Sequence, residues 1–471
     1  MTHSKQMTPN IVSFLPDGSS KSMSEQNVEE EKLSNAAPAS NEQAGGVITV
    51  VLTADNHLGY AAPGQSPRKR EERKQRLRYA FQQATDFAVG QGVDLFIQAG
   101  DLFDSTRPDE HDRSFVAARL AQLRQAGIRA FALGGLHDTP AKNQALPAPQ
   151  ISYARLGAWH YFSPQAASDD SQAELDDGPA SLEPQIFDVR GTKVGICGLG
   201  VVAGQEGDPL EHVRVEDDIE RAALSLLVLH APIEDIETST GTPDVRALVR
   251  RASIEQQAAF RYILAGYHHG YRRVQIGQAE VVIAGATEHV DFNDPTDDPG
   301  FVFLGLAADG VRWCKHIAVD ALHLHRLLVR TSELWPEGEE AVGIPPTEHI
   351  LERLRPLCSP DVLVHLRLEG ELTREQYHQL DLQAIRRFGE EKGFALTIED
   401  STLVFLAEEQ ATVAEANERF SPREELIALA DEWILAAEEE QERKALRMTK
   451  EELLAALDGV RYPASRGGYL Q

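Results

Sequence analysis

Val93-Asp94-Leu95-Phe96-Ile97-Gln98-Ala99 runs directly into Gly100-Asp101-Leu102-Phe103-Asp104. A short apolar run closed by a glycine predicts a buried strand. An aspartate placed after that glycine can bridge two metals through its two oxygens. The same punctuation recurs along the chain. Asp55-Asn56-His57-Leu58-Gly59 follows the run Val47 to Thr53, and Gly134-Gly135-Leu136-His137-Asp138 follows Ile128 to Leu133. His230 closes Leu224 to Leu229, and Gly266-Tyr267-His268-His269 follows Tyr262 to Ala265.

Between these runs lie longer amphipathic stretches, so the fold class is α/β. Open α/β sheets place ligand sites at the C-terminal ends of their strands, where all five motifs fall. A lone strand-end histidine such as His230 is more often a hydrogen-bonded structural residue than a ligand. Five acid or histidine motifs in sequence are a different matter, because packing alone favours apolar residues at those positions. Asp55 and His57, two residues apart on a turn, can reach one divalent ion.

The 471 residues suffice for two or three domains, and 42% hydrophobic residues provide a core for each. No run approaches a membrane span and the N-terminus lacks a secretory pattern, which makes the cytoplasm the expected compartment. Cys197, Cys314 and Cys358 are too few and too widely spaced for a disulfide framework and are expected to be buried thiols. A net charge of -28 excludes a protein that coats nucleic acid by bulk electrostatics. Any such contact must be local. The candidate is the cluster Arg68, Lys69, Arg70, Arg73 and Lys74, continued by Arg76 and Arg78, with a solvated helix face as the alternative.

The motif set resembles the calcineurin-like metallophosphoesterases and, within them, the SbcD-type double-strand-break repair nucleases. The likeness covers residues 47 to 460. It rests on Asp55-Asn56-His57-Leu58-Gly59-Tyr60, on Ala99-Gly100-Asp101-Leu102-Phe103-Asp104, and on Ala284-Gly285-Ala286-Thr287-Glu288 followed by Gly300-Phe301-Val302. It implies a phosphoesterase β-sandwich flanked by helices (47-320), with an acidic surface insertion at 164-184. A small α+β capping domain (321-407) and a C-terminal helical tail (408-471) would follow; residues 1-46, rich in Ser, Asn, Glu and Ala, are expected from composition to be a disordered leader or a mis-assigned start.

The resemblance also implies a first metal position formed by Asp55, His57, Asp101 and His269, and a second that uses Asp101 and His230. His137 matches the family's catalytic histidine. The cofactor implied is a divalent metal, Mn²⁺ ahead of Mg²⁺, with one or two ions per chain. DNA is the implied partner, together with a second copy of the chain and an SbcC-type SMC-like ATPase docked through the C-terminal helices, with Trp433 as anchor.

Two positions depart from the pattern, and both fall on the second metal position. Leu136 stands where an asparagine ligand is expected and has no lone pair to offer a cation. Tyr267 stands for the first histidine of the last motif and binds only if a metal deprotonates it. His268 could replace it if the loop shifted by one residue. The leading expectation is thus a metal-dependent DNA nuclease. A catalytically impaired scaffold that binds DNA ends or the ATPase, and a small-nucleotide phosphodiesterase, are the alternatives.

Overall fold

The computed structural model describes residues 46–406, apart from 63–64, 142–145, 164–180, 212, 216–218, 220, 237–245 and 336–343, with isolated positions beyond. The leader, most of the acidic insertion and Trp433 lie outside the described residues.

Two six-stranded sheets pack face to face. The first contains β1 (Ile48–Thr53), β2 (Leu95–Ala99), β3 (Arg129–Leu133) and β4 (His160–Phe162), all parallel. The second contains β5 (Gln185–Val189), β6 (Thr192–Gly200), β7 (Leu224–His230), β8 (Tyr262–Gly266), β9 (Arg272–Ile276) and β10 (Ala279–Ile283). Its order is β9-β10-β8-β7-β6-β5. The antiparallel strands β11 (Gly300–Ala307) and β12 (Gly310–Ala318) complete the first sheet in the order β12-β11-β1-β2-β3-β4.

Strand alternation dictates this layering. Ile48, Val50 and Leu52 of β1 meet Leu224, Leu226 and Val228 of β7 in the core between the sheets, while Val51 of β1 faces the helices. Leu227 and Leu229 point outward into a third cluster with Cys197, Leu199 and Val201. The same period of two carries His230, two residues beyond Val228, to the inner face of its sheet.

Helix α1 (Pro67–Gln91) begins with Ser66, whose side chain accepts from Lys69 N–H, and with a proline at its first position, and it stops at Gly92 in left-handed geometry. It buries Leu77, Phe81, Ala84 and Ala88 against sheet one, beside α2 (Glu110–Gln125). A third sheet is built around β14 (Val362–Leu372), which pairs in parallel with β13 (His323–Arg330), β15 (Ala395–Glu399) and β16 (Leu403–Phe405). Helices α3 (Pro346–Leu354) and α4 (Leu382–Lys392) cover it around Ile350, Leu354, Leu366 and Ile385.

Most of the basic cluster on α1 is engaged in contacts within the fold. Lys69 Nζ donates to the backbone carbonyls of Glu390, Gly393 and Phe394 at 2.8, 3.1 and 2.7 Å, closing the C-terminal end of α4. Arg73 is buried and lies 3.3 Å from the buried Glu288, and Lys74 pairs with Asp109 at 2.9 Å. Arg76 pairs with Asp361 in the turn before β14, and Arg78 with Asp112. Only Arg68 and Arg70 of the five candidates are exposed. Among the thiols, Cys197 is fully buried, whereas Cys314 and Cys358 are half-buried.

Candidate metal centre

The ends of β1, β2, β3, β7 and β8 converge. Beyond their last residues β1 and β2 continue side by side: Asp55 N–H donates to Gly100 O, His57 N–H to Asp101 O and Leu58 N–H to Leu102 O. These turns hold non-glycine residues at positive φ: Asp55 at 47°, His57 at 44°, Asp101 at 52° and Tyr267 at 82°. Such conformations cost on the order of 1–3 kcal/mol each and persist where surrounding structure over-determines them. Asp and His tolerate them better than most residues.

Three groups of side chains come close enough to share a cation. Asp55, His57 and His269 form the first; Asp55, Asp101 and His230 form the second; His57, Asp104 and His137 form the third. Within each group the candidate ligand atoms lie within 4.8 Å of one another. Asp55, His57, Asp101, His137, His230 and His269, the donor and histidine positions expected from the sequence, all belong to these groups.

The imidazoles are oriented. His230 Nδ1 lies 2.8 Å from Ala99 O, His57 Nδ1 lies 3.2 Å from Asp104 Oδ1, and His269 Nδ1 lies 2.6 Å from Asp294 Oδ1. Each contact places an N–H on Nδ1 and leaves Nε2 as the lone-pair donor, as in metal-ligating histidines. Nε2 of His57 and Nε2 of His230 are buried and make no hydrogen bond. His230 Nε2 nevertheless stands 3.2 Å from Asp101 Oδ2. A buried acceptor facing a carboxylate with no proton between them is costly unless a cation or proton joins them. The residues fit a divalent ion.

Electrostatics agree. Burial alone would raise the Asp101 carboxyl, but His230 and the other imidazoles around it hold it well below the usual carboxylate range. Burial raises Asp55. Burial would lower His230 and His269, yet Asp101 and Asp294 respectively push each up to about 9. Without an ion, protons take the places that a cation would hold.

The loop after β3 is tied to Asp101. His137 N–H donates to Asp101 Oδ1 at 2.8 Å, while buried Asp138 accepts from Gly135 N–H at 2.9 Å and Phe103 N–H at 3.1 Å. A Cβ on Gly135 would overlap the Asp101 carboxylate, so glycine is required there. The His137 side chain is 38% exposed at the rim.

The departures behave differently. Leu136 is half-buried and packs against the outer cluster of sheet two. Tyr267 is buried; its N–H donates to both oxygens of Asp55 at 3.2 and 3.0 Å, and its ring meets the edge of His230 at 5.7 Å between centroids. His268 does not replace it in any of the three donor groups. Its Nε2 accepts Ile233 N–H at 3.0 Å, which uses that lone pair.

Sequence reasoning missed Asp104, Asp294 and Glu288. Asp104 was visible within the Gly100–Asp104 motif. Asp294 carried no signal, because it lies in a loop 25 residues beyond the histidine it orients.

Residues 48–266 match the calcineurin-like phosphoesterase family. Among curated relatives, the DNA double-strand break repair protein Mre11 of Halobacterium salinarum is 24% identical over 74% of this chain and 76% of its own length. The Mre11 protein of Haloferax volcanii is 25% identical over 68% of this chain and 61% of its own. That of Methanosarcina mazei is 27% identical over 51% of this chain and 33% of its own.

Proposed function

Since the chain carries a calcineurin-like metallophosphoesterase domain, with Mre11-type repair nucleases among its relatives, we propose that it is a metal-dependent nuclease that hydrolyses phosphodiester bonds in DNA. The observation that carries this reading is the pair of buried, unbonded Nε2 atoms on His57 and His230, each converging on carboxylates.

In this reading Asp55, His57, Asp101 and His269 hold the first ion, and Asp101 with His230, beside Asp55, holds the second. A divalent ion, Mn²⁺ for preference, would lower the pKa of a water and neutralise charge on the phosphoryl oxygens. The protein residues supply position and protons. His137 N–H holds Asp101 Oδ1, so this carboxylate is tied to the loop that carries His137. His137, exposed at the rim, would donate a proton or hydrogen bond to the leaving oxygen. Asp104, Asp294 and Ala99 O keep each ligand Nε2 turned inward.

DNA would approach over the exposed Arg68 and Arg70 rather than over the whole basic cluster. An SMC-like ATPase and a second copy of the chain are the proposed partners, and the cytoplasm the proposed compartment. No described helix is long and apolar enough to cross a membrane.

A second reading, a scaffold that binds DNA ends without cutting them, is favoured by one observation: Leu136 is committed to an apolar cluster and His268 to Ile233, so neither adds a donor to His230. One experiment separates the two. Mn²⁺ content per chain is measured together with degradation of linear DNA, for the native protein and Asp101→Ala. Cleavage that disappears in the variant supports the nuclease; DNA binding without cleavage in either protein supports the scaffold.

A further inference from the structure

One arginine of the third sheet reaches the turn that orients a histidine of the metal centre. Asp294 lies against His269 Nδ1 through Oδ1, while its Oδ2 accepts Val290 N–H at 2.7 Å and Asp291 N–H at 3.0 Å. Its own N–H donates to Asp291 O at 3.0 Å. Residues 290–294 thus close into one turn around a buried carboxylate. Arg326 of β13 grips that turn: its Nε donates to Phe292 O at 3.2 Å and its Nη2 to Asp294 O. The guanidinium fork spans two carbonyls, a geometry that a lysine ammonium does not reproduce.

Phe292, inside the same turn, enters the apolar contact between the sandwich and the third sheet. It packs against the cluster of Leu322, Leu324, Leu363 and Phe394. Its ring lies 5.8 Å from that of His365, the residue opposite Arg326 in the β13–β14 register. The turn is therefore shared. One oxygen of Asp294 serves the metal centre, and the carbonyl of the same residue belongs to the docking contact.

We propose that Arg326 is a positioning residue of the metal centre, clamping residues 290–294 from the third sheet so that His269 is held for the ion while that sheet is docked. Mn²⁺ binding and docking are then linked, and each strengthens the other by the same factor. The inference rests on the metal-binding part of the proposed function and not on DNA cleavage.

Other contacts across the dock bypass this turn. Lys69 closes the end of α4, and Arg76 pairs with Asp361 with its guanidinium carbon 5.6 Å from the centre of the Phe394 ring. Neither bonds to residues 290–294, so Arg76 provides a control that weakens the dock and leaves the clamp in place.

The test uses Arg326→Ala, Arg326→Lys and Arg76→Ala in the full chain, with Mn²⁺ as the probe. Calorimetry is expected to show affinity about tenfold weaker in Arg326→Ala, a smaller loss in Arg326→Lys, and native affinity in Arg76→Ala. Asp320 N–H and Leu322 N–H donate across the dock to Gln83 and Glu288. Their hydrogen exchange is expected to slow about tenfold on saturation with Mn²⁺ in the native chain and in Arg76→Ala, and not to respond in Arg326→Ala.

Native affinity in Arg326→Ala overturns the proposal. An equal loss in Arg326→Ala and Arg76→Ala also overturns it, because any loosening of the dock would then act alike. Exchange that slows with Mn²⁺ to the same extent in Arg326→Ala and the native chain removes the linkage. A native chain that binds no Mn²⁺ overturns the metal centre together with this inference, whereas a native chain that binds it beside an unaffected Arg326→Ala overturns the inference alone.

Discussion

The His230 ring packs directly against Gly100. A Cβ built on Gly100 would fall closer than 3.0 Å to three atoms of the His230 ring, and Gly100 has a φ of +96°. The glycine before Asp101 therefore serves a histidine 130 residues away. Gly100→Ala is expected to displace His230 from Ala99 O, to weaken Mn²⁺ binding at least tenfold and to destabilise the fold by about 1–3 kcal/mol for the strained backbone alone. Calorimetric titration and thermal unfolding check this. An alanine variant with native affinity and melting temperature would falsify the close approach.

Leu136→Asn with Tyr267→His adds two donors beside His230 without removing any donor of the first group. Both positions flank side chains of the centre: Leu136 lies between Gly135 and His137, and Tyr267 N–H already bonds Asp55. The double variant is expected to bind a second Mn²⁺ about tenfold or more tightly than the native chain, since each added ligand contributes at that level even through indirect support. Equilibrium dialysis gives ions per chain. Two tightly held ions in the native protein would show that the additions are unnecessary.

Glu288 joins three elements: its carboxylate accepts from His289 N–H and Leu322 N–H, and lies 3.3 Å from Arg73 on α1. Both charged groups are buried, so removing the carboxylate strands a guanidinium. Glu288→Ala is expected to cost about 3–5 kcal/mol, and Glu288→Gln distinctly less because it keeps the acceptor. Urea unfolding of both variants decides. Equal, small losses would mean that the pair contributes no more than a surface bridge.

His289 is buried, and burial lowers its pKa to about 4, against the opposing pull of Asp294 and Asp298; Arg73 and His269 nearby lower it further. In the unfolded chain it titrates near 6.5, so between pH 6.5 and 4 the unfolded state binds more protons than the folded one. Stability is therefore lost as pH falls through that window, by about 2 kcal/mol at pH 5. His289→Gln removes that share of the acid sensitivity. Denaturant midpoints at pH 7 and pH 5 for both proteins test it, and parallel declines would count against His289.

The motif residues were legible because strand ends are a local property. Apolar runs of four to seven residues state where a strand lies, and a glycine with an acid or histidine states where it stops and what it presents. Asp55, His57, Asp101, His137, His230 and His269 were all found in this way, and they meet in the fold. The intramolecular partners of the basic run on α1 were not legible by the same local reasoning. A charge cluster on a helix looks alike whether it faces water or a neighbouring sheet, and Lys69, Arg73 and Lys74 turned out to hold the chain together.

What the sequence by itself determined is the α/β alternation, the five strand ends and the donor types they carry, together with the absence of a donor at Leu136. What only the tertiary structure decided is which nitrogen each histidine offers. Asp104, Asp294 and Ala99 O set the ring tautomers from 47, 25 and 131 residues away, and His268 is spent on Ile233 from 35. The reason is physical: a lone pair is directed, and its direction is set by the partner on the far side of the ring, which spacing along the chain does not encode.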